Sequence, residues 1–340
     1  MMIPTETESR PLLGITMGDP AGVGPELVAH LVDRTDLDAD LVVLGESAIL
    51  AKAGALIGWN RRIKEVASPA EVRGLGPGVC AVIDLGLMDV AALVPGREDA
   101  HAGASAVAGI RRSAALVAAG EIDAVVSGPV NKVSMNAAGE SYPGQTEMYL
   151  EGWNMTPAEA HIMLVGGPVR CSLVTAHCSM REALDRLTQD RVELIARQAI
   201  ETLGRHFGIK APRVGVAGLN CHAGDGGLFG REEIDVINPV MARLRAEGID
   251  ISDAQPADAL FHAAESGRYD AVIGMYHDQG VIPLKRHGYV TVIAGAPHIR
   301  TTCGHGTAFD IAWKNSVRPD LFVRAAGLAR DLARRSRLVR

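Results

Sequence analysis

The chain has 340 residues, 47% hydrophobic and 22% charged, enough for about two domains of roughly 150 residues and outside the disordered, collagen-like and small disulfide-stapled classes. Lys plus Arg total 34 against 40 Asp plus Glu, so the net charge of −6 offers no basic surplus for a nucleic acid or an anionic membrane, while a few local cations can still bind small anions. Aromatic residues are only 4% against 38 glycines, which favours sites built from backbone turns over a base-stacking platform. The opening MMIPTETESR is polar and acidic, unlike an export signal, and no apolar run approaches the ~20 residues of a membrane span. Five scattered cysteines without a C-x-x-C pair read as free thiols in a reducing compartment, with the cytoplasm as the expected location.

In chain order, short apolar or β-branched runs at 12–16, 41–44, 80–84, 124–127, 169–175, 213–217, 271–275 and 290–294 are expected to be strands. Each ends in a loop rich in Gly, Pro, His or Asn and leads to a helical stretch, which is the alternation of a parallel sheet covered by helices. The fold class is α/β. The clearest helices are expected at 103–120 and 190–207, with Gly120 and Gly208 where left-handed caps belong. A basic amphipathic helix at 320–340 reads as a packed terminal helix rather than a membrane binder.

The first loop, GDPAGVGPE at 18–26, follows a strand and opens a helix, with Pro25 suited to its first turn. Leu27 stands where a dinucleotide fingerprint needs its third glycine, and no Gly-Lys-Ser/Thr follows, so both nucleotide motifs are rejected; a substrate-facing loop and an ordinary turn stay open. In SGPVNK at 127–132, Asn131 and Lys132 serve either to bind an anion or to cap the next helix. Three histidines, His177, His222 and His277, each follow a strand, at the carboxyl ends where open parallel sheets bind ligands. Together they suggest one divalent ion with open positions, against the plainer reading of hydrogen-bonded or exposed rings. Asp278 either orients His277 or faces solvent, and Asp258 is a candidate carboxylate or a helix N-cap. Lys285 and Arg300 are candidate anion-binding cations or ordinary surface residues, and Gly-bracketed His305 is expected to precede a helix.

The ordered motifs GITMGDPAGVGPE, EIDAVVSGPVNK, YPGQTE, TAH, GLNCHAGDGGLFGREE, PAD, MYHDQG and IRTTCGHGTAFDIA resemble the 4-hydroxythreonine-4-phosphate dehydrogenases of vitamin B6 biosynthesis and their paralogues acting on 4-phosphoerythronate or 4-phosphothreonate, over residues 12–312. The resemblance implies a two-domain α/β/α subunit akin to the isocitrate and isopropylmalate dehydrogenases. A discontinuous cofactor-side domain is expected at 11–135 plus 290–340, and a metal, substrate and dimerisation domain at 136–289. It further implies a homodimer with the active site at the subunit interface, and NAD as cofactor. A divalent metal is implied on His177, His222 and His277, zinc foremost with Mg, Mn or Co as alternatives, His177 coming from the other subunit. By the same resemblance His305, Gly306, Thr307 and Asp310 face the cofactor and Gln145, Thr146, Lys285, Thr291 and Arg300 bind substrate, while the reaction itself calls for proton carriers, for which Lys285, Asp258 or a bound water are the candidates.

Two departures bear on the substrate. Gln145 replaces the family's histidine, a neutral amide for a chargeable imidazole, and Thr291 stands in the place of an asparagine within a shortened segment. The reading that results is oxidation of a secondary alcohol in a phosphorylated four-carbon hydroxy acid, followed by decarboxylation of the β-keto acid. The alternatives are a dehydrogenase of a non-phosphorylated diol acid of the cis-dihydrodiol carboxylate type, a metal-dependent hydrolase or phosphatase, and a non-catalytic sugar-phosphate binding protein.

Overall fold

The computed structural model describes residues 10–34, 36–76 and 78–339. Its strands are β1 Leu12–Thr16, β2 Asp40–Gly45, β3 Arg62–Glu65, β4 Val79–Asp84, β5 Ala124–Ser127, β6 His161–Gly166, β7 Val169–Leu173, β8 Val214–Ala217, β9 Ile251–Gln255, β10 Ala271–Gly274, β11 Tyr289–Ala294 and β12 Arg300–Cys303. The described residues divide into two compact units, 10–155 with 298–334, and 156–297 with 335–339.

In the first unit the strands run in the order β3-β4-β2-β1-β5-β12, every neighbouring pair parallel. LLGIT of β1 and AVVS of β5 are buried at every position, as strands covered on both faces must be. The Ala-rich helix Ala100–Ala118 starts where the Asp99 carboxylate accepts the N–H groups of His101 and Ala102, and Gly120 beyond its end takes φ 71°. The helix Gln145–Gly152 belongs to this unit: the Tyr149 hydroxyl accepts from Ser127 Oγ at 3.0 Å and lies 2.9 Å from Ser113 Oγ, and Trp153 Nε1 donates to the Ala114 carbonyl. In the second unit β11 pairs with β6. The units divide after Met155, Pro297 and Arg334, whereas the expected division was after 135 and 289 with 290–340 whole.

The second unit has the order β11-β6-β7-β10-β8-β9. Here the uniformly parallel sheet expected from the sequence gives way: β6 is antiparallel to both β7 and β11, while β7, β10, β8 and β9 are parallel. The cause is local. Only Gly167 and Pro168 separate β6 from β7, a two-residue connection that can join only antiparallel neighbours, and Gly167 supplies the positive φ of 56° that such a turn needs. Strands β3, β6, β9 and β12 were not expected. RIKE of β3 is largely exposed, ISDAQ of β9 is polar, and β12 carries a charged Arg in a fully buried run. The helix Gln189–Arg205 buries Val192, Ile195, Ala196, Ala199 and Leu203, the expected apolar stripe, and Thr188 caps it.

His161 of β6 is enclosed between Gln198 Oε1 and Ser172 Oγ, each 2.8 Å from a ring nitrogen, and burial pushes its pKa from 6.5 down to about 4. The unfolded chain thus binds the extra proton first, so stability is full above the ordinary imidazole value and is lost as pH falls from 6.5 towards 4. The shift corresponds to about 3 kcal/mol at its limit. The urea midpoint of the wild type is expected to fall relative to that of His161→Gln through that window, the raised pKa of Asp19 acting equally on both proteins; parallel curves for the two proteins would contradict this assignment.

Candidate functional site

Each unit holds its own set of candidate residues. In the first, Arg300 is 1% exposed. Its Nε donates to Ser127 Oγ at 2.9 Å and its guanidinium lies 5.3 Å from the Tyr149 ring centroid, yet Nη2 has no partner. Burial pushes the Arg300 pKa down and that of Tyr149 up. No ion pair to Arg300 forms among the described residues, so a fixed positive charge stands desolvated with a free donor, an arrangement that suits a phosphate or carboxylate ligand. Gln145 and Thr146 open the helix Gln145–Gly152, whose first N–H groups receive no side-chain cap, and Gln145 Oε1 is buried without a partner. Arg300 and Gln145 were both candidate substrate contacts. Tyr149 and Ser127, which position the guanidinium, carried no such signal, because a buried Tyr and Ser read as core.

The GDPAGVGPE loop acts chiefly as a cradle for 305–315. Val23 N–H donates to the Thr307 carbonyl at 3.0 Å, and a Cβ on Gly22 would come within 2.8 Å of Thr307. The buried Glu26 carboxylate accepts the N–H groups of Trp313 at 2.6 Å and Asn315 at 2.8 Å. Those bonds replace the helix expected after His305: the chain turns from Phe309 to Asn315, with Ala308, Trp313 and Asn315 left-handed. Of the cofactor candidates, Thr307 is buried against Gly22, Gly306 and Asp310 are exposed, and His305 Nδ1 lies 3.0 Å from the Gly306 carbonyl. Asn131 accepts the Ser134 N–H and so caps its helix. Asp19, which the sequence reading passed over, is fully buried with Oδ2 unpartnered, and burial pushes its pKa up to about 6.

In the second unit β10 lies between β7 and β8, so the loops bearing His177, His277 and His222 follow three adjacent parallel strands. The pairing runs past β7, as Val174 and Thr175 N–H donate to the Gly274 and Met275 carbonyls. Gln279 joins the other two loops: its Oε1 accepts the Met275 N–H at 2.6 Å and its Nε2 donates to the Gly218 carbonyl at 2.7 Å. The His177 and His277 rings lie 5.6 Å apart between centroids. His277 Nδ1 lies 2.7 Å from Asp278 Oδ1, the arrangement in which a carboxylate orients an imidazole and leaves Nε2 for a ligand. His222 Nδ1 lies 3.5 Å from Asp225 Oδ2.

The segment from His222 to Gly226 is left-handed at five consecutive residues, with φ of 53, 51, 79, 45 and 69°. L-residues adopt this conformation at a cost of about 1–2 kcal/mol each, and normally singly. Such strain persists only where the surroundings enforce it.

As donors, the three imidazoles fit a divalent ion. As a set within one chain they do not complete a site: among the described residues no three His, Cys, Asp or Glu side chains converge to hold a metal. Adjacent strands are ~4.8 Å apart, so β7 and β8, with β10 between them, start their loops about 10 Å from one another. Asp258 sits in the first turn of the helix Ala257–Glu265 and is not its cap, that position being Pro256. It lines a cavity of about 390 Å³ with Tyr276, Asp278, Gln279 and Arg286. Lys285, exposed at the end of the helix His277–Lys285, has Nζ 5.8 Å from the Tyr289 ring centroid, and Thr291 is half-buried on β11 opposite Leu164.

Residues 37–329 match the model of a family described as pyridoxal phosphate biosynthetic protein PdxA. The chain belongs to the PdxA family. A D-threonate 4-phosphate dehydrogenase of Pectobacterium atrosepticum is 39% identical to it over 327 residues, 95% of this chain and 99% of the relative. A 4-hydroxythreonine-4-phosphate dehydrogenase of Maricaulis maris is 39% identical over 331 residues, 94% of this chain and 97% of the relative. The crystal structure of a 4-hydroxythreonine-4-phosphate dehydrogenase from Klebsiella pneumoniae superposes with a TM-score of 0.88 at 38% identity, covering 97% of this chain and 99% of that one. A terephthalate 1,2-cis-dihydrodiol dehydrogenase from Burkholderia xenovorans gives 0.67 at 30% identity, over 95% and 98%. The PdxA-family chain is an oxidoreductase of the dehydrogenase type with a mixed α/β fold.

In this PdxA-family enzyme Arg300→Met keeps the buried volume and removes the charge. Turnover of an anionic substrate is expected to fall about 100-fold, as for loss of a charge-assisted hydrogen-bond pair, while the melting temperature holds or rises, because an unpaired buried charge is relieved. Thermal unfolding and steady-state kinetics of the variant check both; retained kcat/KM would remove Arg300 from substrate binding.

Proposed function

We propose that this chain is an NAD- and divalent-metal-dependent dehydrogenase that oxidises a secondary alcohol of a phosphorylated four-carbon hydroxy acid, whose β-keto product then loses CO2. The observation that carries the reading is the buried Arg300 guanidinium with Nη2 unpartnered. The names of relatives at 39% identity, acting on threonate 4-phosphate and 4-hydroxythreonine 4-phosphate, support the same substrate class.

Arg300 holds the distal anion, with Thr146 and the uncapped first turn of its helix contributing hydrogen bonds and Gln145 a neutral amide. His222 and His277 of one chain, with His177 from a second copy, would hold the ion, and Asp278 keeps His277 in the tautomer with Nε2 free. Such an ion would supply Lewis acidity towards a hydroxyl, and a nicotinamide cofactor would supply the hydride acceptor. Lys285 and Asp258 take the hydroxyl proton and return one to carbon after CO2 leaves. His305, Gly306, Thr307 and Asp310 face the cofactor. A homodimer is supported by exposed apolar residues of the second unit, among them Leu228, Phe229, Met180 and Ile282.

A second reading, a non-phosphorylated diol acid as substrate, is favoured by Gln145 in place of the family's histidine and by the likeness to the cis-dihydrodiol dehydrogenase. NADH formation at 340 nm is expected with 4-phosphothreonate, 4-phosphoerythronate or 4-phosphohydroxythreonine, with kcat/KM at least about 100-fold lower for the same acids without phosphate, the weight of a charged clamp. Equal rates without the phosphate would overturn the phosphorylated reading in favour of the diol acid. Dialysis against a chelator is expected to abolish turnover and Zn2+, Mn2+ or Co2+ to restore it; undiminished turnover in the stripped enzyme would remove the ion from the reaction.

A further inference from the structure

Beside the left-handed turn that carries His222 lies a buried acid to which neither the resemblance nor the proposed chemistry assigns a role. Glu233 is 2% exposed and opens a π-helical turn, Glu233–Ile237, an irregularity that recurs at functional sites. Its Oε1 accepts the Asn220 N–H at 2.8 Å and its Oε2 accepts from Asn220 Nδ2 at 3.0 Å. Asn220 Nδ2 also donates to Glu232 Oε2 at 2.7 Å, so the amide is held by two carboxylates from one segment. The Asn220 carbonyl in turn accepts the Ala223 N–H at 3.1 Å, and the Gly224 carbonyl accepts the Phe229 N–H at 3.1 Å. A Cβ on Gly224 would come within 2.7 Å of Glu233 Oε2, and one on Gly218 within 3.1 Å of Oε1. Backbone and carboxylate are thus packed too closely for either to shift alone.

We propose that Glu233 is a positioning residue for His222: by clamping both the backbone and the side-chain amide of Asn220 it enforces the strained turn 222–226 and so fixes the imidazole at the carboxyl end of β8. This rests on the reading of His222 as a metal ligand. A glutamine at 233 has nearly the same shape but one acceptor fewer, and its NH2 would face a donor of Asn220. The turn would then relax towards right-handed conformations, and the ligand would lose its fixed place. Loss of an outer partner that orients a metal ligand typically weakens the metal by about 10- to 100-fold.

The test uses the full-length protein, stripped of metal, in wild-type, Glu233→Gln, Glu233→Asp, Gly224→Ala and His222→Ala forms. Co2+ affinity is measured by competition with a chromophoric chelator, and amide hydrogen exchange is followed across 220–229 without metal. Glu233→Gln and Gly224→Ala are expected to bind Co2+ about 10- to 100-fold more weakly and to exchange faster in that segment alone, with Glu233→Asp recovering part of both. Should Glu233→Gln fail to fold, Gly224→Ala and Glu233→Asp carry the same readouts. Wild-type affinity and protection in Glu233→Gln, beside a loss of affinity in His222→Ala, would overturn the role of Glu233 and leave the ion reading intact. Unchanged affinity in His222→Ala would sink the ion reading, and with it the purpose assigned to Glu233.

Discussion

The parallel ladders joining β7 to β10 and β10 to β8 bring together three loops that are far apart along the chain. Hydrogen-bond register, not sequence proximity, makes His177, His277 and His222 neighbours in the order of the sheet. The same ladders limit how near they come, because strands keep a fixed spacing and a loop must leave its strand before it can bend towards another. Gln279 and the left-handed turn after β8 are the two devices that bend these loops, one by tying Met275 to Gly218 and the other by reversing the usual hand of the backbone.

Several polar groups are buried at energetic cost, and they differ in how far that cost is offset. Glu26 is offset within the fold: both its oxygens accept backbone N–H groups and hold the turn 309–315 in place. Glu233 is likewise saturated by Asn220. Arg300, Gln145 and Asp19 are not, for each keeps a buried atom without a partner. Folding alone selects against such groups, since water would serve them better than a dry interior. All three lie in the first unit.

Membership in the PdxA family accounts for the overall likeness to the Klebsiella pneumoniae enzyme. Gln145 and Thr291 lie on a helix start and on β11. Neither belongs to the hydrogen bonds that join the loops around the histidines.

Much was legible from the amino acids alone. Runs such as LLGIT and AVVS can satisfy their backbone and bury their side chains only as inner strands, and the stripe from Val192 to Leu203 only as a helix. The motifs identified the family because each is a local arrangement of glycines, amides and imidazoles. Polar strands such as β3 and β9 escaped notice because their pairing comes from neighbours rather than from their own apolarity. Arg300 reads in sequence as either an anion-binding or a surface cation and is buried in the fold, since burial is a property of what packs around a residue. The hand of the turn at 222–226 belongs to the same kind: Gly224 and Gly226 permit it locally, while the bonds of Asn220 to Glu233, brought from the next element, are absent until the chain folds. Local preference is written along the chain, whereas partners for buried charge and strained backbone exist only once distant segments meet.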